Sequence, residues 1–269
     1  VPYASTDREP APIQPGLVSV TFRQLPAESV VELAARAELA AIEWGGDIHV
    51  PHGDLDAARR VAAMTADAGL AVACYGSYYR LGHSPAEGLA PETVVETAAA
   101  LGAPTIRVWA GRIGSAEADP AYWEAVVTDA RRVAELAGAA GMTVSFEYHR
   151  NTLTDTRESA RRLLDELGDV PIRTLWQPAP ERARAENLGD LRDVLPWLHH
   201  VHVFTWTATR ERLPLADGIE DWAAYLDVAS DGGARYALLE FVAGDSPAQF
   251  ADDAATLVTA LSAPRPGNR

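Results

Sequence analysis

Residues 120–149 read PAYWEAVVTDARRVAELAGAAGMTVSFEYH, and this stretch holds the unit from which the chain is built. Between Pro120 and Ala140, the residues Ala125, Val126, Ala130, Val133, Ala134 and Ala137 recur at helical spacing and form one apolar stripe. Ala140-Gly141 is a helix stop, and a β-branched run, Thr143–His149, starts directly after it. The same alternation extends in both directions. Strands are expected at Leu17–Arg23, Ala41–Trp44, Ala71–Tyr75, Thr105–Trp109, Thr143–His149, Ile172–Gln177, Val201–Trp206 and Tyr236–Val242. Helices are expected at Ala27–Leu39, Leu55–Ala68, Pro91–Leu101, Pro120–Ala140, Asp155–Leu167, Leu188–Leu195, Glu220–Ser230 and Pro247–Leu261.

Strand–helix alternation demands a parallel sheet with right-handed crossovers. Eight units in about 245 residues, with no linker between halves, predict a single closed (β/α)8 TIM barrel of the α/β class. A dinucleotide-binding sheet would need a glycine-rich turn after its first strand, and Val20–Pro26 has none. Residues 1–16, with four prolines and no hydrophobic period, are expected to form a flexible leader before a barrel at 17–262, with 263–269 as a tail.

The 269 residues carry 23 Lys+Arg against 38 Asp+Glu, a formal charge of −15, which argues against nucleic acid as a partner. No apolar run is long enough for a membrane span. With one cysteine, Cys74, an intramolecular disulfide and a cysteine-based zinc cluster are both excluded. A small-molecule partner and a cytoplasmic location are expected, and a homo-oligomer stays open.

In such a barrel, function sits at the carboxyl ends of the strands. Arg23 ends the first expected strand, Glu43-Trp44 the second and Tyr75 the third. The fourth holds Arg107 and Trp109, the fifth Glu147 and His149, and the sixth ends in Trp176-Gln177. The seventh contributes His200, His202 and Trp206, and the eighth Glu240. Glu147 in VSFEY and Glu240 in ALLEFV are carboxylates inside apolar runs, so each needs an ion pair, a proton or a metal. Two carboxylates, an imidazole and a carbonyl oxygen suit Mn, Mg, Co, Fe or Zn. His200 and His202 share a face, and burial in VHVF favours His202 as the ligand. Glu43 reads equally as a substrate contact or as a partner of Arg23 or Arg107. His149 reads equally as a group that orients substrate or a metal ligand and as a cap on the end of strand five through a backbone bond. Trp44, Tyr75, Trp109, Trp176 and Trp206 together suggest an aromatic cup, and Arg107 with Arg23 or Arg80 suits a carboxylate or phosphate.

The motifs SFEYH, HVHVF and LLEFV, in this order and strand placement, resemble the sugar isomerase/epimerase superfamily of xylose-isomerase-like barrels over roughly residues 17 to 261. The resemblance implies one divalent ion, most readily Mn, held by Glu147, Gln177, His202 and Glu240. It also implies substrate contacts from Arg23, Glu43, Trp44, Tyr75, Arg107, Trp109, His149, Trp176 and Trp206. Where the family carries Asp on strand six this chain has Gln177, which removes one negative charge, and Pro180 stands near the place of a family histidine. The distant resemblance to endonuclease IV fails on charge and on the placement of the seven histidines. The expected activity is metal-dependent isomerisation or epimerisation of a sugar, keto sugar or polyol, with Glu147 and Glu240 moving protons next to a carbonyl. The alternatives are a lyase on the same barrel, by dehydration or C-glycosidic cleavage, and a binding barrel without catalysis.

Overall fold

Eight parallel strands close on themselves in the order β1-β10-β7-β6-β5-β4-β3-β2, so the (β/α)8 barrel is the architecture. The computed structural model describes residues 12–168 and 170–263. The barrel strands are β1 Gln14–Val18, β2 Ala41–Gly45, β3 Ala71–Arg80, β4 Thr105–Trp109, β5 Thr143–Glu147, β6 Ile172–Trp176, β7 Leu198–Val203 and β10 Tyr236–Leu239. A small antiparallel ribbon, β8 Thr205–Trp206 with β9 Arg212–Leu213, rises from the end of β7. The outer layer is α1 Ala27–Arg36, α2 Leu55–Asp67, α3 Pro91–Leu101, α4 Pro120–Ala139, α5 Arg157–Leu167, α6 Arg184–Val194, α7 Ile219–Asp231 and α8 Pro247–Ser262. Among the described residues, no helix is long and apolar enough to cross a membrane.

The helices form where the sequence provides a stripe and a cap. In α4, Trp123, Val126, Val127, Ala130, Val133, Ala134 and Ala137 are buried against the sheet. The Asp119 side chain accepts from Tyr122 N at 2.8 Å, satisfying one orphan donor of the first turn. Gly141 follows at φ +76°, the left-handed conformation that ends the helix cheaply.

Several strand boundaries differ from expectation: β3 runs on to Arg80 rather than ending at Tyr75, and β2, β5 and β6 shift by one or two residues. β1 begins at Gln14 rather than Leu17, so Gln14–Gly16 belong to the barrel, while residues 1–11 of the expected leader and 264–269 of the tail lie outside the described residues. Pro15-Gly16 lowers strand propensity, but Gly16 is required: a Cβ there would lie 2.5 Å from Leu238 Cδ2 and 2.8 Å from Ala41 O. Ser19–Phe22 then turn as a 3-10 helix, which carries Arg23 past the strand end. β7 starts at Leu198, and Trp206 leaves the barrel in the ribbon. β10 stops at Leu239, because Phe241 takes φ +56°.

His199, at the irregular start of β7, stacks on His200 with ring centroids 4.0 Å apart, and its Nδ1 lies 3.2 Å from Ser145 Oγ. Burial, helped by Arg173 and Arg235, lowers its pKa to about 4. The unfolded chain takes up this proton near pH 6.5, so the contribution to stability is complete above that pH and is lost as pH falls towards 4. Between pH 7 and 4.5, urea unfolding of the wild type is expected to lose about 2 to 3 kcal/mol more than unfolding of His199→Phe. Parallel losses would show that His199 is not the group responsible.

Candidate active site

The strand register brings five ionisable side chains to one end of the barrel. Glu43 pairs in register with Cys74 on β3, Gly76 with Arg107 on β4, and Leu238 with His202 on β7. Arg107 runs across the barrel, only 2% exposed, with Nε donating to Glu43 Oε1 at 2.7 Å and Nη1 donating to Glu147. A Cβ on Gly76 would sit 2.6 Å from Arg107 Nη2 and 2.8 Å from Glu43 Oε1, so the missing side chain of β3 makes room for the ion pair. The other oxygen of Glu43 lies 3.0 Å from His202 Nε2, and His202 Nδ1 faces Glu240 Oε2 at 3.7 Å. The network therefore runs Glu147–Arg107–Glu43–His202–Glu240.

The two glutamates of the cavity are held very differently. Glu147 Oε2 accepts from Arg107 and from Trp109 Nε1, and Oε1 accepts from Gln177 Nε2 at 3.1 Å. Burial alone would raise its pKa, but Arg107 and His149 outweigh burial and hold it at about 2. Glu240 receives no hydrogen bond, and burial raises its carboxyl to about 7 although His202 pulls the other way. Burial opposes the charged form of His202, yet Glu43 and then Glu240 raise it to about 9.

Above this network lies a cavity of about 260 Å³. Its wall includes Arg23, Arg107, Trp109, Glu147, His149, Gln177, Trp206 and Glu240 from the expected set. It does not include the expected ligand His202, which is buried in the network below, or four expected substrate contacts. Glu43 is fully buried beneath the cavity, where it orients Arg107 and His202. Trp44, Tyr75 and Trp176 point outward from the barrel: Trp44 Nε1 bonds Thr65, Tyr75 Oη bonds Val50 O, and Trp176 packs on Trp222 and Tyr225. Strand alternation explains this for the residues beside inward Glu43 and Gln177. His202, rather than His200, reaches the site, since His200 Nε2 lies against Ala73 O. Cys74 is buried, as expected.

The aromatic part of the wall is built instead from Tyr78, Trp109, Tyr148, Phe204, Trp206 and Phe241, with His149 stacked on Trp109 at 5.1 Å. The sequence reading missed Tyr78, Tyr148, Arg150, Asp155, Arg182, Phe204, Arg210 and Phe241. Most lie in loops beyond strand ends, where neither period nor burial pattern marks them. The one available signal was the arginine in each of the loops after expected strands five, six and seven.

Among the described residues, no three His, Cys, Asp or Glu side chains already form a cluster that would hold an ion. The donors nevertheless fit one. His202 Nδ1 is buried without a hydrogen-bond partner and faces Glu240, while Nε2 is against Glu43, the carboxylate–histidine arrangement that leaves one nitrogen for a cation. Gln177 gives its Nε2 to Glu147 and to Tyr148 O, so its oxygen is the end left for a ligand role.

The profile of xylose isomerase-like TIM barrels matches residues 31–260. The chain belongs to that family. A 3-dehydroshikimate dehydratase from Bacillus anthracis is 30% identical over 103 residues, 36% of this chain and 35% of that protein, so the match spans about a third of the relative. The crystal structure of the probable 3-DHS dehydratase of petrobactin synthesis from Bacillus anthracis superposes with TM-score 0.78 at 20% identity, covering 91% of this chain and 99% of the other. D-psicose 3-epimerase, solved in the presence of D-fructose, gives 0.68 at 15% identity, covering 92% and 98%. Both structures are alike in fold, and the activities named among the relatives are a dehydratase and an epimerase.

Arg107→Met would remove the buried cation between two buried carboxylates, leaving Glu43 with His202 alone and Glu147 with Trp109 and Gln177. It is expected to cost about 3 to 5 kcal/mol in urea unfolding at neutral pH. Arg59→Met, which removes an exposed pair with Asp56, should cost about 1 kcal/mol or less. Equal effects would contradict the assigned role of Arg107.

Proposed function

We propose that this barrel removes a proton from the carbon next to a carbonyl in a small, hydroxylated substrate that carries a carboxylate, and that water is lost as a result. The observation that carries this reading is the cavity wall: Arg23, Arg107, Arg150, Arg182 and Arg210 line it against Glu147, Asp155, Glu181 and Glu240, an excess of one cation in a chain of formal charge −15. A neutral keto sugar needs no such wall, whereas a carboxylate does. The sequence match to a 3-dehydroshikimate dehydratase supports the same class of substrate.

Glu147 has both oxygens engaged, so it serves as a fixed negative anchor. The groups free to move protons are Glu240, which accepts no hydrogen bond, and His149. The Nδ1 of His149 lies 2.7 Å from Arg150 O, and because a carbonyl only accepts, Nδ1 carries the hydrogen and Nε2 is left to take one. β5 and β10, which lead to these two groups, are three steps apart around the barrel. One group takes the proton next to the carbonyl, and the other protonates the departing hydroxyl on the following carbon, so that one C–H and one C–O bond break and water leaves. A divalent ion on Glu147, Gln177, His202 and Glu240, with Mn the favoured ion and Mg, Co, Fe or Zn as alternatives, would polarise the carbonyl when bound. The chain contains no lysine, so an imine between a lysine and the substrate carbonyl is not a route open to it.

The placement of two free proton carriers on different sides also favours a second reading, epimerisation of a keto sugar, in which the second group returns a proton and no water leaves. Incubation with 3-dehydroshikimate and, separately, with D-psicose distinguishes them. Dehydration of the former aromatises the ring and appears as near-ultraviolet absorbance, and Glu240→Gln should reduce it by about a hundredfold or more with the fold intact. Conversion of D-psicose alone would replace the dehydratase reading. Gln177→Asp restores one negative charge and should tighten Mn binding in calorimetry; unchanged or weaker binding would remove Gln177 from the ligand set.

A further inference from the structure

β3 loses its register with β4 between Gly76 and Tyr79, which leaves Ser77 and Tyr78 as a bulge opposite the step from Arg107 to Val108. Ser77 closes the gap, its Oγ donating to Arg107 O at 2.6 Å and accepting from Tyr79 N at 3.2 Å. Tyr78 takes φ +56°, a conformation that is costly for a bulky side chain. The bulge sets this half-buried residue in the cavity wall. Its ring lies over Arg107, with Cζ 4.8 Å from the centroid, and meets Trp109 edge-on at 5.5 Å.

The hydroxyl of Tyr78 is at the accessible end of the ring and has one fixed bond. Arg23 Nη2 donates to Tyr78 Oη at 2.8 Å, and Arg23 is itself held by Asp47 through Nε at 2.7 Å. A guanidinium only donates, so the phenol accepts here and its own hydrogen must go elsewhere. Among the described residues, no acceptor takes that hydrogen. Burial pushes the phenol up to about 12 against the pull of Arg107, so the hydrogen is in place at neutral pH. Glu240 is near enough for its charge to act on the same phenol, and both side chains line the one cavity. A free donor therefore stands within electrostatic reach of the carboxyl assigned to proton transfer.

We propose that Tyr78 is a catalytic residue whose hydroxyl, held by Arg23, donates to the carbonyl oxygen of the substrate. When the neighbouring C–H bond breaks, its electron pair becomes the new C=C bond and the carbonyl oxygen takes the negative charge. The Tyr78 hydrogen bond strengthens at that moment, and the phenol keeps its proton. The proposal rests on proton removal beside a carbonyl, which both readings above share, and not on the loss of water. Calorimetry on the full chain uses two probes. 3,4-Dihydroxybenzoate is the ring left when 3-dehydroshikimate loses water, and one of its hydroxyl oxygens is the former carbonyl oxygen; 4-hydroxybenzoate is the same acid without that oxygen. Tyr78→Phe keeps the ring over Arg107 and loses only the donor. It is expected to bind 3,4-dihydroxybenzoate about tenfold more weakly than wild type, with 4-hydroxybenzoate unchanged. On whichever of 3-dehydroshikimate or D-psicose is turned over, its kcat should fall about a hundredfold while KM moves by about threefold or less. Equal losses for both probes, no loss for either, a retained kcat, or no binding of 3,4-dihydroxybenzoate by wild type would each overturn the proposal. A selective loss for 3,4-dihydroxybenzoate in a protein that fails to dehydrate 3-dehydroshikimate would support the proposal and sink the dehydratase reading alone.

Discussion

Arg107 lies across the inside of the barrel with a carboxylate on either side of its guanidinium, and most of the site's geometry follows from that placement. A buried pair of this kind is not a large source of stability, because desolvation of the charges offsets much of their attraction. What it does is fix positions. Glu43 is turned so that its second oxygen meets His202, and Glu147 is turned so that its first oxygen meets Gln177. Gly76 is the backbone concession that lets the guanidinium lie there.

The same placement divides the work between the glutamates. Glu147 is saturated with donors and stays charged, whereas Glu240, with His202 on one side and the charges of Glu147 and Arg107 nearby, is the more easily protonated of the two. In the proposed reaction, the group that exchanges protons is a carboxyl without fixed donors, which is Glu240 just past β10 rather than Glu147 on β5. Over these groups, five arginines and four carboxylates share the cavity wall, a balance more cationic than that of the chain as a whole.

The barrel was legible in the sequence because each βα unit repeats the same two periods and stops, as in residues 120–149. The inward carboxylates were legible for a related reason: Glu147 and Glu240 interrupt apolar runs, which burial alone does not permit. The outward aromatic residues were misread because a strand-end position says nothing about face. Trp44 follows inward Glu43, and Trp176 precedes inward Gln177, so alternation sends both towards the helices. Glu43 itself showed its charge but not its depth, which depends on the guanidinium arriving from β4. Arg150, Arg182 and Arg210 sit in loops whose shape is set by tertiary contacts, such as Asn187 bonding Ala179 and Arg182 O, and no local period encodes those.

Arg107 and its carboxylates act as one coupled unit, and a double-mutant cycle measures that coupling directly. Stability is determined by urea unfolding for wild type, Arg107→Met, Glu43→Gln and the double variant. Glu43→Gln is expected to be costly in the wild-type background but nearly neutral or stabilising once Arg107 is gone, a coupling of about 2 kcal/mol or more. Losses that add to within about 0.5 kcal/mol would show the two side chains to be independent and would contradict the account.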